Sequence, residues 1–357
     1  MRADAWPSQS ASAEPAATDP AGPAVAGAGA PSVVVAVLTY RRPDDLAELL
    51  PLLQGEAAQA ESAGSAVHAG AGRASRVEVL VVDNDPGAGA RDQVAGLAAE
   101  PSAGSGTGRV RYVHEPRAGI AAARNRALDE AGGFDVLVFV DDDERPLEGW
   151  LGLLLATHAE HGGCGVVGPV VSDFEVRLDD WVVMGGFFDR RRLPTGTRTD
   201  IAATNNLLLD VAAVRRAAVR FDERLGLSGG SDTLFTRRLV AAEGPLVWCD
   251  EAVVTDVVPA ARTTRSWVLR RQLRSGNSWS RTALMLAGSP AERLALRVRY
   301  TALGGARLGA GLVRSVLGVV RGDLRDRAGG RKTAARGLGM LLGAWGYGYV
   351  EYRRPAS

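Results

Sequence analysis

The chain predicts an α/β fold on a mostly parallel central sheet, followed by a basic helical extension. Three observations carry that expectation. Across residues 32–260, β-branched apolar runs alternate with segments of helical spacing. Those runs are apolar throughout rather than at every second position, as in strands buried on both faces. Beyond Pro259 the texture changes to arginine-rich helices. Regular alternation of strand and helix implies right-handed βαβ units and parallel pairing.

In chain order, residues 1–31 are rich in Ala, Pro, Ser and Gly without apolar periodicity and read as a disordered tail. No basic segment followed by a compact apolar one marks a secretory signal. Ser32–Thr39 (SVVVAVLT) is the first strand. Pro43–Leu53 follows with helical spacing at Leu46, Leu49, Leu50 and Leu53, and Pro43-Asp44-Asp45 suits a helix start. Residues 55–75 are Gly/Ala/Ser-rich and read as a flexible insertion. Val77–Val82 and Arg109–His114 are the next strands, Gly119–Ala131 a helix, and Phe134–Val140 the strand that delivers Asp141-Asp142-Asp143. Then come a helix over Trp150–His161, a strand over Gly165–Val171, another over Thr204–Leu209, and a helix over Ser231–Glu243 with its N-cap within residues 228–231.

With 357 residues, 46% of them hydrophobic, the chain can bury a full core. Cys164 and Cys249 make no disulfide framework and suit a reducing compartment. The net charge of +1 conceals an asymmetry: residues 261–357 hold 18 Arg and one Lys against two Asp and two Glu, an excess of +15, which leaves −14 on the preceding 260. Arg307, Arg314 and Arg321 recur every seven residues among Leu, Val and Gly. The apolar stretch Gly337–Val350 has 14 residues, too few to span a bilayer comfortably. Charge and amphipathic pattern favour an anionic membrane surface as the partner of residues 293–350, over an ordinary helical pair packed on the core. No nucleic-acid recognition motif accompanies the arginines.

Three like charges at the end of a buried strand are unfavourable unless cations compensate them. Ligands of open α/β sheets bind at the carboxyl ends of the strands. A hard divalent cation takes oxygen ligands and keeps substrate phosphates in its shell, so Asp141 and Asp143, one residue apart, are the natural pair for Mg²⁺ or Mn²⁺. An acidic loop capping the next helix is the alternative, since Pro146 and Glu148 suit a first turn. Two further strand ends, Thr39-Tyr40-Arg41-Arg42 and Asp83-Asn84-Asp85, would converge on the same edge. There a tyrosine can stack on a nucleobase and a carboxylate can accept its imino hydrogen; a simple turn is the alternative for Asp83–Pro86. Gly119 at a helix start lets backbone amides approach an anion. Arg124, one and a half turns on, reaches either the same anion or the surface.

The strings VLTYRRP, VVDND, EPRAGIAAARNRAL, FVDDDE and GGSDTLFTRRL, in that order over residues 32–280, resemble family 2 glycosyltransferases of the GT-A fold. The chain is similar to bacterial enzymes that build polysaccharides or glycolipids. The resemblance implies a Rossmann-like GT-A domain over 32–260, with a nucleotide-sugar half at 32–145 and an acceptor half at 146–260, before the helical region 261–357. It also implies roles for matching residues. Thr39, Tyr40, Arg42, Asp83, Asp85, Gly119, Arg124, Asp141 and Asp142 would bind the nucleotide sugar, and Asp141 and Asp143 the metal. Asn205 and Asn206 would line the acceptor side, and Arg271, Arg274 and Asn277 would reach the diphosphate. Asp232 matches the catalytic base, although Ser231 replaces the acid that commonly precedes it; an N-cap is its bland alternative.

The expectation is an inverting transfer from a nucleoside-diphosphate sugar to a hydroxyl of a glycan or lipid-linked saccharide. It would take place in the cytoplasm, peripheral to the inner face of the cell membrane. The alternatives are a nucleotidyltransferase, which normally has glycines that TYRRPDD lacks, and a non-catalytic nucleotide-sugar or membrane-surface binding protein. No nucleic-acid partner is expected.

Overall fold

The computed structural model describes residues 29–62, 72–99, 109–226 and 229–348. Residues 1–28 of the predicted tail, the middle of the predicted insertion, Ser228 and Val350 lie outside the described residues.

The first half winds as expected, with the addition of a helix, α2, that the sequence reading did not name: β1 (Ser32–Thr39), α1 (Pro43–Glu61), β2 (Arg76–Asp83), α2 (Arg91–Ala99), β3 (Arg109–His114), α3 (Ile120–Glu130) and β4 (Val136–Asp141). β1 lies between β2 and β4 and pairs with both in parallel, and β3 flanks β2. The chain then forms β5 (Glu144–Pro146), α4 (Trp150–His161), β6 (Gly165–Val167), β7 (Val170–Phe174), α5 (Asp180–Met184), β8 (Arg198–Thr199) and β9 (Asn206–Asp210). After these come α6 (Val211–Ala217), α7 (Ser231–Glu243), β10 (Leu246–Trp248) and β11 (Val254–Val258). The main sheet runs β3-β2-β1-β4-β9-β6-β10-β8, and β5-β11-β7 form a second, smaller one. β9 is antiparallel to both β4 and β6, so the parallel arrangement holds on one side of the sheet and breaks on the other.

Burial explains the unbroken apolar runs. Val33, Val35 and Val37 of β1 pack with Leu46, Leu49 and Leu50 of α1 and with residues of α4. Val34, Ala36 and Leu38 point the opposite way, into a core shared with α3 and α7. Successive side chains of a strand face opposite sides, so a sheet covered by helices on both faces needs apolar residues at every position.

Two sequence expectations change. α1 runs eight residues beyond Leu53, because Ala57 and Ala60 continue its buried face. Its Glu56 is buried and accepts hydrogen bonds from Gly149 and Leu151 N–H, at 2.8 and 2.9 Å, which caps α4 from outside. The strand expected over Gly165–Val171 is two strands in different sheets, broken at Gly168-Pro169. A Cβ on Gly168 would lie 2.2 Å from Ala252 O and 2.3 Å from Asn206 Nδ2, so only glycine lets the chain pass there.

The C-terminal region is a three-helix assembly of α8 (Arg265–Leu286), α9 (Pro290–Val320) and α10 (Leu324–Ala344). Thr264, Ser289 and Asp323 cap their starts by accepting N–H groups of Trp267, Glu292 and Asp326. α9 and α10 pack antiparallel along a seam of small residues. Cβ atoms on Gly304, Gly311, Gly318 and Gly330 would each fall within 3.0 Å of the facing backbone. Gly339 and Gly343 do the same against α8. The apolar stretch beginning at Gly337 is thus packing material for this bundle, with Gly337, Met340 and Ala344 buried.

The seam makes a sharp test. In Gly339→Ala the new methyl would sit 1.9 Å from Leu273 O, and the variant should lose about 1–3 kcal/mol of stability as an overpacked site does. Gly305→Ala, with nothing within 4 Å, should be neutral or slightly stabilising. Thermal unfolding of both variants beside the parent reads the difference.

Candidate active site

Register brings the three strand ends together. Thr39 pairs with Asp83, Asp83 with His114, and Leu38 with Asp141, so the carboxyl ends of β1, β2 and β4 lie side by side. At this edge Thr39 Oγ1 donates to Asp142 Oδ2 at 3.0 Å. Arg42 Nη1 donates to Asp142 Oδ1 at 2.8 Å and to Asp143 Oδ2 at 2.7 Å. Arg262, just after β11, donates to the same Asp143 oxygen at 2.9 Å. Burial works against the Arg42 charge, but the two aspartates outweigh it and raise its pKa.

The carboxylates of this run are not equivalent. Burial pushes Asp141 up to about 7, with Arg124 pulling the other way and Asp143 adding repulsion. Burial pushes Asp142 up to about 6 against the attraction of Arg42. Asp143 is held below its ordinary value, because Arg42 and Arg262 overcome its burial. Glu144, which the sequence reading passed over, is buried beside Asp141 and raised well above its ordinary value by that burial. It accepts Asn205 Nδ2 at 2.7 Å and Asp141 N–H at 3.1 Å. The signal was present in the string itself, since FVDDDE continues the acidic run by one residue.

The donor set suits a hard cation. Among the described residues, the Asp141 carboxylate and Asp143 Oδ1 accept no hydrogen bond, which leaves oxygen ligands at both positions of the expected pair. No group of three or more His, Cys, Asp or Glu forms a metal cage among the described residues. Mg²⁺ and Mn²⁺ need none here, because a magnesium-like ion is held by one or two carboxylates together with substrate phosphates.

At the end of β2, Asp83 is buried and accepts Asp85 N–H, Ala90 N–H and Tyr112 O–H at 2.9 to 3.0 Å, so most of its acceptor capacity organises the turn. Asp85 accepts Arg41 Nε at 2.9 Å, and the Arg41 guanidinium stacks 5.3 Å above Tyr40. Asn84, named in the sequence only as part of this strand end and given no role, holds the neighbouring loop. Its Nδ2 donates to Glu115 O and Arg117 O, and its Oδ1 accepts Gly119 N–H at 3.1 Å. Gly119 has φ 116° and opens α3, as its predicted place at a helix start requires.

Arg124 links the two halves of the site. It is buried on α3, and its Nη1 donates to Ser231 Oγ at 2.9 Å. Ser231, which stands where an acid is common, therefore receives the arginine that also acts on Asp141. Asp232 follows in the first turn of α7, half-buried, with its carboxylate accepting Thr233 N–H and making no ion pair among the described residues.

On the acceptor side the two asparagines part company. Asn205 faces Glu144, as above. Asn206 is fully buried: its Oδ1 accepts Trp150 Nε1 at 2.9 Å, and its Nδ2 donates to Pro169 O and Ala252 O. Its amide is the knot that holds the β6–β7 break and offers no polar atom to an acceptor. Asn277 likewise lies buried in the α8–α10 seam and donates to Tyr347 O at 2.7 Å, away from the acidic edge.

Arg271 sits over Phe188 and Trp267, at 5.6 and 5.5 Å. Burial lowers its pKa to about 10, and Arg190 and Arg274 push the same way. Arg190 is ion-paired with Asp256, whose strand neighbours are Glu144 on one side and Ser172 on the other. A groove opens at that row, lined by Val170, Ser172, Phe174, Phe188 and Arg190. Trp181 and Phe187 stack on each other in the core.

The model of glycosyl transferase family 2 matches residues 35–219. The chain belongs to that family. It is accordingly a glycosyltransferase, and the nucleotidyltransferase alternative falls away. The matched span holds all three strand ends and Arg124 but stops before Asp232. Succinoglycan biosynthesis protein ExoM of Rhizobium meliloti (strain 1021) is 32% identical over 319 residues, covering 89% of this chain and 94% of that protein. Among solved structures, the mannosyltransferase PcManGT from Pyrobaculum calidifontis, in complex with GDP-Man and Mn²⁺, shares the fold with a TM-score of 0.54 and 18% identity, covering 89% of this chain and 88% of its own.

Asn206→Ala would strand the Trp150 N–H in the interior and take a donor from two buried carbonyls, at a loss of about 1–3 kcal/mol. Urea unfolding followed by Trp fluorescence should show a clearly lower midpoint. A variant as stable as the parent would return Asn206 to the acceptor side.

Proposed function

We propose that this glycosyltransferase moves a sugar from a nucleoside-diphosphate sugar to a hydroxyl of a glycan or lipid-linked saccharide, by a single displacement that inverts the anomeric carbon. One observation carries the reading: the in-register ends of β1, β2 and β4 gather Thr39, Asp83 and Asp141–Asp143 at one edge, and Arg124 ties that edge to the helix bearing Asp232. Likeness to a succinoglycan biosynthesis protein supports a polysaccharide-building role. The excess of +15 in residues 261–357 supports a place in the cytoplasm, peripheral to the inner face of the cell membrane.

In this reading Tyr40 and the β2 turn receive the base and ribose. Arg42, Arg262 and Arg124 flank the diphosphate, with Arg271 and Arg274 beyond them. The groove beside Asp256 seats the acceptor, whose sugar faces meet Phe174 and Phe188 and whose hydroxyls meet Ser172 and Arg190. Asp232 takes the proton from the acceptor hydroxyl as its oxygen bonds to the anomeric carbon. The bond from that carbon to the diphosphate breaks, and its electron pair leaves with the nucleoside diphosphate. Mg²⁺ or Mn²⁺ held by Asp141 and Asp143 would stabilise the charge on that leaving group.

Calorimetric titration of UDP, GDP and dTDP, with and without Mn²⁺, tests the donor site. One nucleotide should bind in a metal-dependent manner to the parent and to Asp232→Asn, and fail to bind Asp143→Ala. No binding of any nucleotide to well-folded parent protein would overturn the assignment. Asp232→Asn should then lower turnover about 10²–10⁴-fold with donor affinity preserved, as loss of a general base does.

A further inference from the structure

The outermost helix carries a surface that the described residues leave uncovered. α9 turns one side to α10, where Gly304, Gly311, Ser315 and Gly318 are buried. Roughly 140° away around the helix, at 3.6 residues per turn, Leu294, Val298, Leu312, Val316 and Val320 line up at intervals of three and four residues through the small residues between them. All five are exposed, Val316 by 61% and Val320 by 78%. The stripe is about 39 Å long at 1.5 Å per residue. Surface helices normally turn their polar face outward. Here the outward face is the apolar one.

The charges around it identify what covers it. Residues 293–322 contain no Asp or Glu, while Arg299 and Arg321 stand along one shoulder of the stripe, with Arg314 drawn back into an ion pair with Asp326. On the other shoulder Trp345 is 68% exposed, its Nε1 donating to Thr301 Oγ1 at 3.1 Å, and Tyr347 is exposed beside it. An apolar stripe bordered by arginines and an amphipathic aromatic is the pattern of a helix lying in a headgroup layer. Length and composition alone would let α9 cross a membrane. Its seam with α10 forbids that, because α10 would carry Arg325, Arg331, Lys332 and Arg336 into hydrocarbon with it. A second copy docked face to face would bring two arginine shoulders together in a region that already holds an excess of +15.

We propose that α9 is the membrane-contacting element: it lies in the plane of an anionic phospholipid surface, its apolar stripe among the acyl chains and its arginines on the headgroup phosphates. This names the surface behind the peripheral location proposed above, and it stands independently of the donor site.

Flotation of the full chain with vesicles of phosphatidylcholine, alone or mixed with phosphatidylglycerol, tests it. The parent should float with the mixed vesicles and bind about tenfold or more weakly to the neutral ones, since each arginine near the surface gains from anionic lipid. Leu312→Glu combined with Val316→Glu places two acids in the stripe, and flotation should fall by at least about tenfold. Arg299→Glu with Arg321→Glu should abolish the preference for anionic vesicles. Thermal unfolding of each variant verifies folding, and both pairs lie on exposed positions of α9 or its C-cap. Failure of the parent to float, or stripe variants that float as well as the parent, would overturn the proposal. So would a parent dimer, seen by light scattering, that the stripe variants dissociate. Normal flotation without nucleotide binding would sink the donor-site reading and leave this one standing.

Discussion

Four consecutive carboxyl groups at the end of a buried strand repel one another, and the fold's local order answers that repulsion. Only Asp143 is held below its ordinary pKa, and it faces two arginines that come from distant parts of the chain. Arg42 reaches it because β1 lies next to β4 in register; Arg262 reaches it because β11 runs beside β5. The neighbours Asp141, Asp142 and Glu144 are pushed upward by burial. The edge is therefore an electrostatic device with one firm anion and a reserve of acids whose charge depends on what approaches. A ligand that brings cations or accepts hydrogen bonds would meet groups already poised to change state.

Much of this was legible in the sequence, for a physical reason. A strand buried on both faces writes its length into an apolar run, so β1 came out with the bounds observed. Parallel strands have their carboxyl ends at one edge, so the convergence of Thr39, Asp83 and Asp141 followed from their positions alone. What escaped depends on partners far away in the chain. The break between β6 and β7 was signalled by Gly168-Pro169, a pair that marks turns, but the Asn206 contact that fixes it is with a residue far along the chain. Arg262 and Asn84 act through hydrogen bonds to residues that only the tertiary fold makes neighbours. Asn205 and Asn206, adjacent and alike in type, differ because β9 starts between them and turns one side chain to the acids and the other into the core.

Ser231 shows how a departure from a common pattern can be absorbed. A hydroxyl accepting from Arg124 keeps the arginine in place without adding a further negative charge to an already acidic edge. The same contact joins α3, which starts at the glycine turn beside the β2 end, to α7, which carries Asp232. Movement of one helix would be felt by the other.

The glycine seam has a consequence for the order of synthesis. α9 packs extensively on α10 and only slightly on α8, while α10 packs on both. The helix that joins the bundle is the one translated after both its neighbours. Until α10 emerges from the ribosome, α9 has its small-residue face and its apolar stripe exposed together. A nascent chain in that condition is prone to aggregation or capture by chaperones unless its stripe meets lipid first, so the order of helices along the chain favours completion of the bundle at the membrane.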